Sequence, residues 1–182
     1  MLRILINPAH GGNDLGHRSF QAYSLICEKD YVLRLSQKQQ ESLKEAGAQV
    51  FLTRDKDVAM SIPSRLAMTD QMDVFISNHL NMGRKRGIEI YYSVHSDGKL
   101  ANRLKKGFEE KGFLVRQCHA RSMTNDKNED YYPLLKDSKA KESVMIMYGY
   151  VDSDDISRLM TCENEYTEIV TDAIMQTQTV QV

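Results

Sequence analysis

Short apolar runs alternate with longer amphipathic stretches along this chain, and that alternation limits the folds open to it. Residues 2–6 (LRILI) are an apolar run of strand length. The following segment EKDYVLRLSQKQQESLKEAG carries Val32, Leu35 and Leu43 at helical spacing and stops at Gly47. AQVFLTR then reads as a strand, and SIPSRLAMTDQ as a helix with Pro63 near its first turn. DVFISNH and GIEIYYSV read as strands, and DGKLANRLKKGFEEKG as a helix with Leu100, Leu104 and Phe108 on one face. SVMIMYGYV is a last buried strand, followed by a helix through ENEYTEIVTDAIM. Strands alternating with helices predict an α/β fold: a largely parallel (mixed), twisted sheet of about six strands with helices on both faces. Residues 119–142 are polar and weakly periodic and are expected to form a long excursion, of the kind that more often carries function than not.

The chain has 182 residues, enough for one domain with its own core, and no linker or repeat divides it, so residues 1–182 are expected to form a single domain. The formal net charge is −1, which argues against nucleic acid as a partner, because phosphate binding rests on clustered lysine and arginine. Cys27, Cys118 and Cys162 offer no paired framework and no CxxC spacing, as expected of synthesis in a reducing compartment. No run has the length of a membrane span, so no membrane insertion is expected, and the first apolar run is too short for a signal peptide. If the target lies outside the cell, release by lysis or a separate export route would have to deliver the protein. A monomer is expected.

In open α/β sheets the working groove lies beyond the carboxyl ends of the parallel strands. In ILINPAHGGNDLG, His10 follows the first strand, and His79 closes the third in DVFISNHLN. Glu28 stands just before the long helix that follows the glycine-rich loop. Two histidines, one carboxylate and an open position make a catalytic zinc set, and imidazole suits Zn²⁺ better than Mg²⁺ or Ca²⁺. Taken singly, each residue has a plainer role: HGG as a turn, Glu28 as a carboxylate facing a helix dipole, His79 as a strand-end polar residue. GGNDLG is neither a Walker loop nor a dinucleotide fingerprint. Cys27 is either a soft ligand or a structural thiol, and His17, His95 and His119 lack partners at ligand spacing.

Four segments in order, ILINPAHGGNDLG, EKDYVLRLSQKQQESLKEAGAQVFLTRDKD, SRLAMTDQMDVFISNHLN and GIEIYYS, resemble the zinc-dependent N-acetylmuramoyl-L-alanine amidases. The resemblance covers about the first half of the chain closely and the rest more loosely. It implies zinc as cofactor, His10, Glu28 and His79 as its ligands, and bacterial peptidoglycan as substrate. The bond cut would be the amide between N-acetylmuramic acid and L-alanine of the stem peptide, with zinc activating water and polarising the carbonyl. Asn81 would either orient the site or the substrate by hydrogen bonding or serve as a simple turn residue, and Glu89 on the next strand would hydrogen-bond near the site.

The pattern breaks at one position. The family's general-base glutamate lies in a late strand, in a context like Val-Leu-Val-Glu-x-Gly-Phe. Here the matching stretch is ESVMIMYGYVDS, in which Gly149 and Tyr150 match Gly-Phe and Met147 stands where the glutamate belongs. A thioether cannot shuttle a proton, and loss of a positioned base typically costs about 10²–10⁴-fold in rate. Three readings follow: another carboxylate substitutes, with Glu142 as the candidate beside Asp152 and Glu129; or the chain is an amidase of weak activity; or it is a zinc-bearing peptidoglycan-binding domain that has lost catalysis.

Overall fold

A computed structural model of the chain describes residues 1–19 and 26–176. The elements run β1 (Arg3–Pro8), α1 (Glu28–Glu45), β2 (Gln49–Leu52), α2 (Ile62–Ala67), β3 (Val74–Asn81), β4 (Ile88–Tyr92), α3 (Lys99–Glu110), β5 (Val115–Ala120), α4 (Pro133–Lys136), β6 (Glu142–Tyr150), α5 (Asp155–Thr161) and α6 (Glu163–Met175). The strands form one mixed sheet in the order β2-β1-β3-β6-β4-β5. β1 pairs in parallel with both β2 and β3, and β3 with β6, whereas β4 runs antiparallel to β6 and carries β5 parallel to itself.

The three central strands are apolar on both sides, as a sheet covered on both faces requires. Ile4, Ile6, Val74, Ile76, Val144 and Ile146 face the larger core, into which α1, α3 and α6 send Val32, Leu35, Leu104, Phe108 and Ile169. Leu5, Phe75, Tyr91 and Met145 face a smaller core closed by Leu134 and Leu135 of the short helix α4. The helices on both faces are thus very unequal. No helix among the described residues is long and apolar enough to cross a membrane.

The excursion expected over 119–142 is more ordered than its composition implied. Its first residues belong to β5, and α4 lies within it. β5 escapes sequence reading because it is an edge strand whose Arg116 and His119 are exposed, leaving no continuous apolar run.

The chain runs from β1 to β2 on one side and then crosses from β2 to β3 on the other side of β1. The crevice between β1 and β3 is therefore the switch point at which open α/β sheets bind ligands.

Candidate metal centre

His10 lies two residues past the end of β1 in a left-handed conformation, φ 59°. Gly11 follows at φ 131°, and a Cβ there would stand 2.2 Å from the Val58 carbonyl oxygen. That close approach explains why a glycine must follow the histidine. Two buried arginines hold the bend from below. Arg54 donates to the carbonyls of Pro8, Ala9 and Lys29, and Arg65 to those of Pro8 and His10 and to Asn7 Oδ1. Burial and the facing Arg54 lower the Arg65 guanidinium to about 10, so its charge is expensive and its acceptors are what keep it in place.

Glu28 opens α1 and is wholly buried. Its Oε1 lies 3.1 Å from His10 Nε2 and 3.4 Å from His79 Nδ1 and accepts from the Leu80 amide at 3.0 Å, while Oε2 accepts from the His17 amide at 2.8 Å. Burial pushes this carboxyl up, but the two histidines outweigh it and hold it far below the usual range. Burial lowers His10, and Glu28 and Asp14 together bring it above its ordinary value. Gly16, φ 63°, passes so close that a Cβ would meet His10 Cδ2 at 2.6 Å and Glu28 Oε2 at 2.7 Å.

The other nitrogen of each imidazole is also held. His10 Nδ1 is 2.9 Å from Asp14 Oδ2, and His79 Nε2 is 2.8 Å from Ser77 Oγ. Ser77 in turn accepts from Asn7 Nδ2 at 2.8 Å, and Asn7 accepts from Thr53 and Arg65. The free ligand atoms of His10, Glu28 and His79 all lie within 4.8 Å of one another. A tetrahedral zinc shell with bonds near 2.05 Å spaces its ligands at about 3.3 Å, so the donor set and its spacing fit that ion. Held outer nitrogens are the usual companions of metal-ligating histidines.

Met147 is the Cα partner of His79 on one side and of Glu89 on the other, so the three stand in a row across β3, β6 and β4. Its half-buried side chain packs on the smaller core. Glu89 is buried and both its oxygens are committed. Oε1 accepts from Tyr150 Oη at 2.5 Å and faces Arg116 Nε at 3.3 Å, while Oε2 accepts from Tyr91 Oη at 2.7 Å and Asn81 Nδ2 at 3.1 Å. Asn81 thus ties the end of β3 to Glu89.

Glu142, expected as a substitute base, is not at the site. It pairs with Val74 at the opposite end of the sheet, five residues before Met147 on β6, or about 16 Å away, and its carboxylate faces Arg103. Asp152 accepts from the amides of Gly83 and Arg84, and Glu129 pairs with Lys136. Cys27 Sγ donates to the Leu15 carbonyl at 3.4 Å. Sequence reading missed Asp14, Ser77, Arg54 and Arg65. The Ser-x-His spacing, which puts both side chains on one face of a strand, was the available signal for Ser77.

Fold and site together define an α/β domain with a His-Glu-His cluster able to hold a metal ion at its sheet edge. The family model for N-acetylmuramoyl-L-alanine amidase matches residues 4–177, and the chain belongs to that family. It is 26% identical over 172 residues to a probable cell wall amidase, LytH, of Staphylococcus aureus, covering 94% of this chain and 55% of that protein. The chain therefore spans about half the length of the curated relatives it matches. Among solved structures it resembles Cwp6 from Clostridium difficile, with TM-score 0.82 and 29% identity over 99% of this chain and 29% of that one. The fold also matches the catalytic domain of CwlV, an N-acetylmuramoyl-L-alanine amidase from Bacillus (Paenibacillus) polymyxa, with TM-score 0.83 and 21% identity over 100% of both chains.

Proposed function

We propose that this chain hydrolyses the amide joining N-acetylmuramic acid to L-alanine in bacterial peptidoglycan, with zinc held by His10, Glu28 and His79. The observation that carries the reading is the convergence of those three ligand atoms at the β1/β3 switch point, each imidazole held from behind. Family membership supplies the substrate class. Zinc bound there would supply Lewis acidity toward the scissile carbonyl and the attacking water.

The chain's own residues account for the rest. Asp14 and Ser77 fix the ring orientations, and Arg54 and Arg65 fix the backbone that presents His10. Where the family places a general base, Met147 offers no titratable group, and its neighbour Glu89 is fully engaged by donors. The expected consequence is a slow amidase. The reading places its action on the bacterial cell wall.

The test is to incubate purified protein with peptidoglycan, with zinc or with chelator, and to count liberated L-alanine amino termini. Zinc-dependent release supports the reading. Retention on walls with no new termini, from wild type or from Met147→Glu, would make this a zinc-bearing binding domain instead.

A further inference from the structure

The loop joining β3 to β4 carries Arg84, Lys85 and Arg86 in succession, all exposed, and it begins three residues past His79. It is pinned at both ends. Asp152 accepts from the amides of Gly83 and Arg84 at 3.0 Å each, and Asp155 accepts from that of Gly87 at 2.8 Å. Arg84 itself is held at φ 51°, between Gly83 at φ 139° and Gly87 at φ 99°. A non-glycine residue kept in this region by two carboxylates is strain that the surroundings enforce, and such strain gathers at binding and catalytic sites. Arg86 faces Asp154 at 3.7 Å, whereas the side chains of Arg84 and Lys85 have no acidic partner among the described residues.

The opposite rim of the site has the other character. The loops after β1 and β2 carry exposed Asp14, Asp55 and Asp57 together with exposed Arg18 and Lys56, and Asp57 is paired with Lys29 of α1, so this rim has no basic excess. A substrate with one anionic arm and one neutral arm would therefore lie across the site in one direction only.

We infer that Arg84 and Lys85 read a carboxylate of the stem peptide, namely the free α-carboxylate of the γ-linked D-glutamate that follows L-alanine. This inference rests on the amidase reading and names the specificity of the same site. The glycan at the scissile bond carries no charge, because its lactyl carboxyl is consumed in the amide. The first free carboxylate lies about 7 Å beyond that bond. Arg84 is five residues past His79, at most about 17 Å of extended chain, a gap that its own side chain narrows. Solvent-exposed pairing of this kind contributes modestly, so discrimination of about three- to fivefold is expected, weakening with salt.

The test measures the binding, by calorimetry, of two soluble muropeptides that differ only in carrying D-glutamate or its α-amide, D-isoglutamine. The wild type should bind the free acid about three- to fivefold more tightly. Arg84→Asn/Lys85→Gln, chosen because asparagine tolerates positive φ, should bring that ratio close to one. A third arm compares walls with and without their phosphodiester polymers. Equal wild-type affinity for the two muropeptides overturns this inference alone, as does discrimination confined to the polymer-bearing walls. Failure to bind either muropeptide overturns the amidase reading and this inference with it.

Discussion

The two halves of the edge that carries the site are built differently. Around β1 and β3, His10, Glu28 and His79 each have a dedicated partner, and the backbone presenting them is held by two buried arginines. Around β6 and β4, the position beside His79 holds a thioether packed on the smaller core, and the next carboxylate, Glu89, is saturated by donors. The ligand atoms that could hold an ion therefore sit in one half, and the position for a proton-transferring group sits in the other. The first half rests on the β1 turn and the α1 terminus, and neither depends on what side chain β6 presents at residue 147.

The largest effect expected on that contrast comes from breaking its stronger half. Elemental analysis should find close to one zinc per chain in wild type and almost none in His79→Ala, whose amidase activity should fall about 10³-fold or more. Unchanged zinc content would remove the site. The partners behind the ligands should matter less: Ser77→Ala and Asp14→Asn are each expected to weaken zinc affinity about 10–100-fold in a competition titration. No change in either would mean that the outer nitrogens need no fixing.

Sharpening the weaker half is the next step down. Met147→Glu restores a carboxylate between His79 and Glu89 in the register and should raise kcat about tenfold or more with KM little changed. A folded, zinc-loaded variant with unchanged kcat would show that another group already moves the proton.

The smallest effect lies far from both halves. Burial pushes the Glu163 carboxyl up, but Arg34 and Lys38 of α1 outweigh it and hold it below its ordinary 4.5. A lowered folded-state value gives stability that is present above pH 4.5 and lost as pH falls through that lowered value. Glu163→Gln should therefore cost about 1 kcal/mol at neutral pH, measured by denaturant unfolding, and progressively less below about pH 4.5. A pH-independent cost would assign the loss to packing.

The sequence was legible where a residue's role follows from its own neighbourhood. The runs in β1, β3 and β6 and the spacing of Val32, Leu35 and Leu43 mark their elements locally, and HGG and Ser-Asn-His fall at strand ends. His10, Glu28 and His79 are therefore placed at one edge by the sequence alone, and the structure brings their ligand atoms together. What depends on pairing was not legible. Nothing in GIEIYY distinguishes an antiparallel from a parallel neighbour, and β5 hides behind Arg116, Gln117 and His119. Glu142 looked close to Met147 because five residues is a short stretch of sequence, but along a strand it spans the sheet. Arg54 and Arg65 act on the carbonyls of the β1 turn from 45 to 57 residues away, a distance no local pattern records.

The most direct test of the central claim is the count of L-alanine amino termini that wild type and Met147→Glu release from peptidoglycan, each with zinc and after chelation. Wild type should release them slowly and Met147→Glu faster, and neither should release any without the ion. Release that persists after chelation, or no release from Met147→Glu with zinc bound, would contradict that claim.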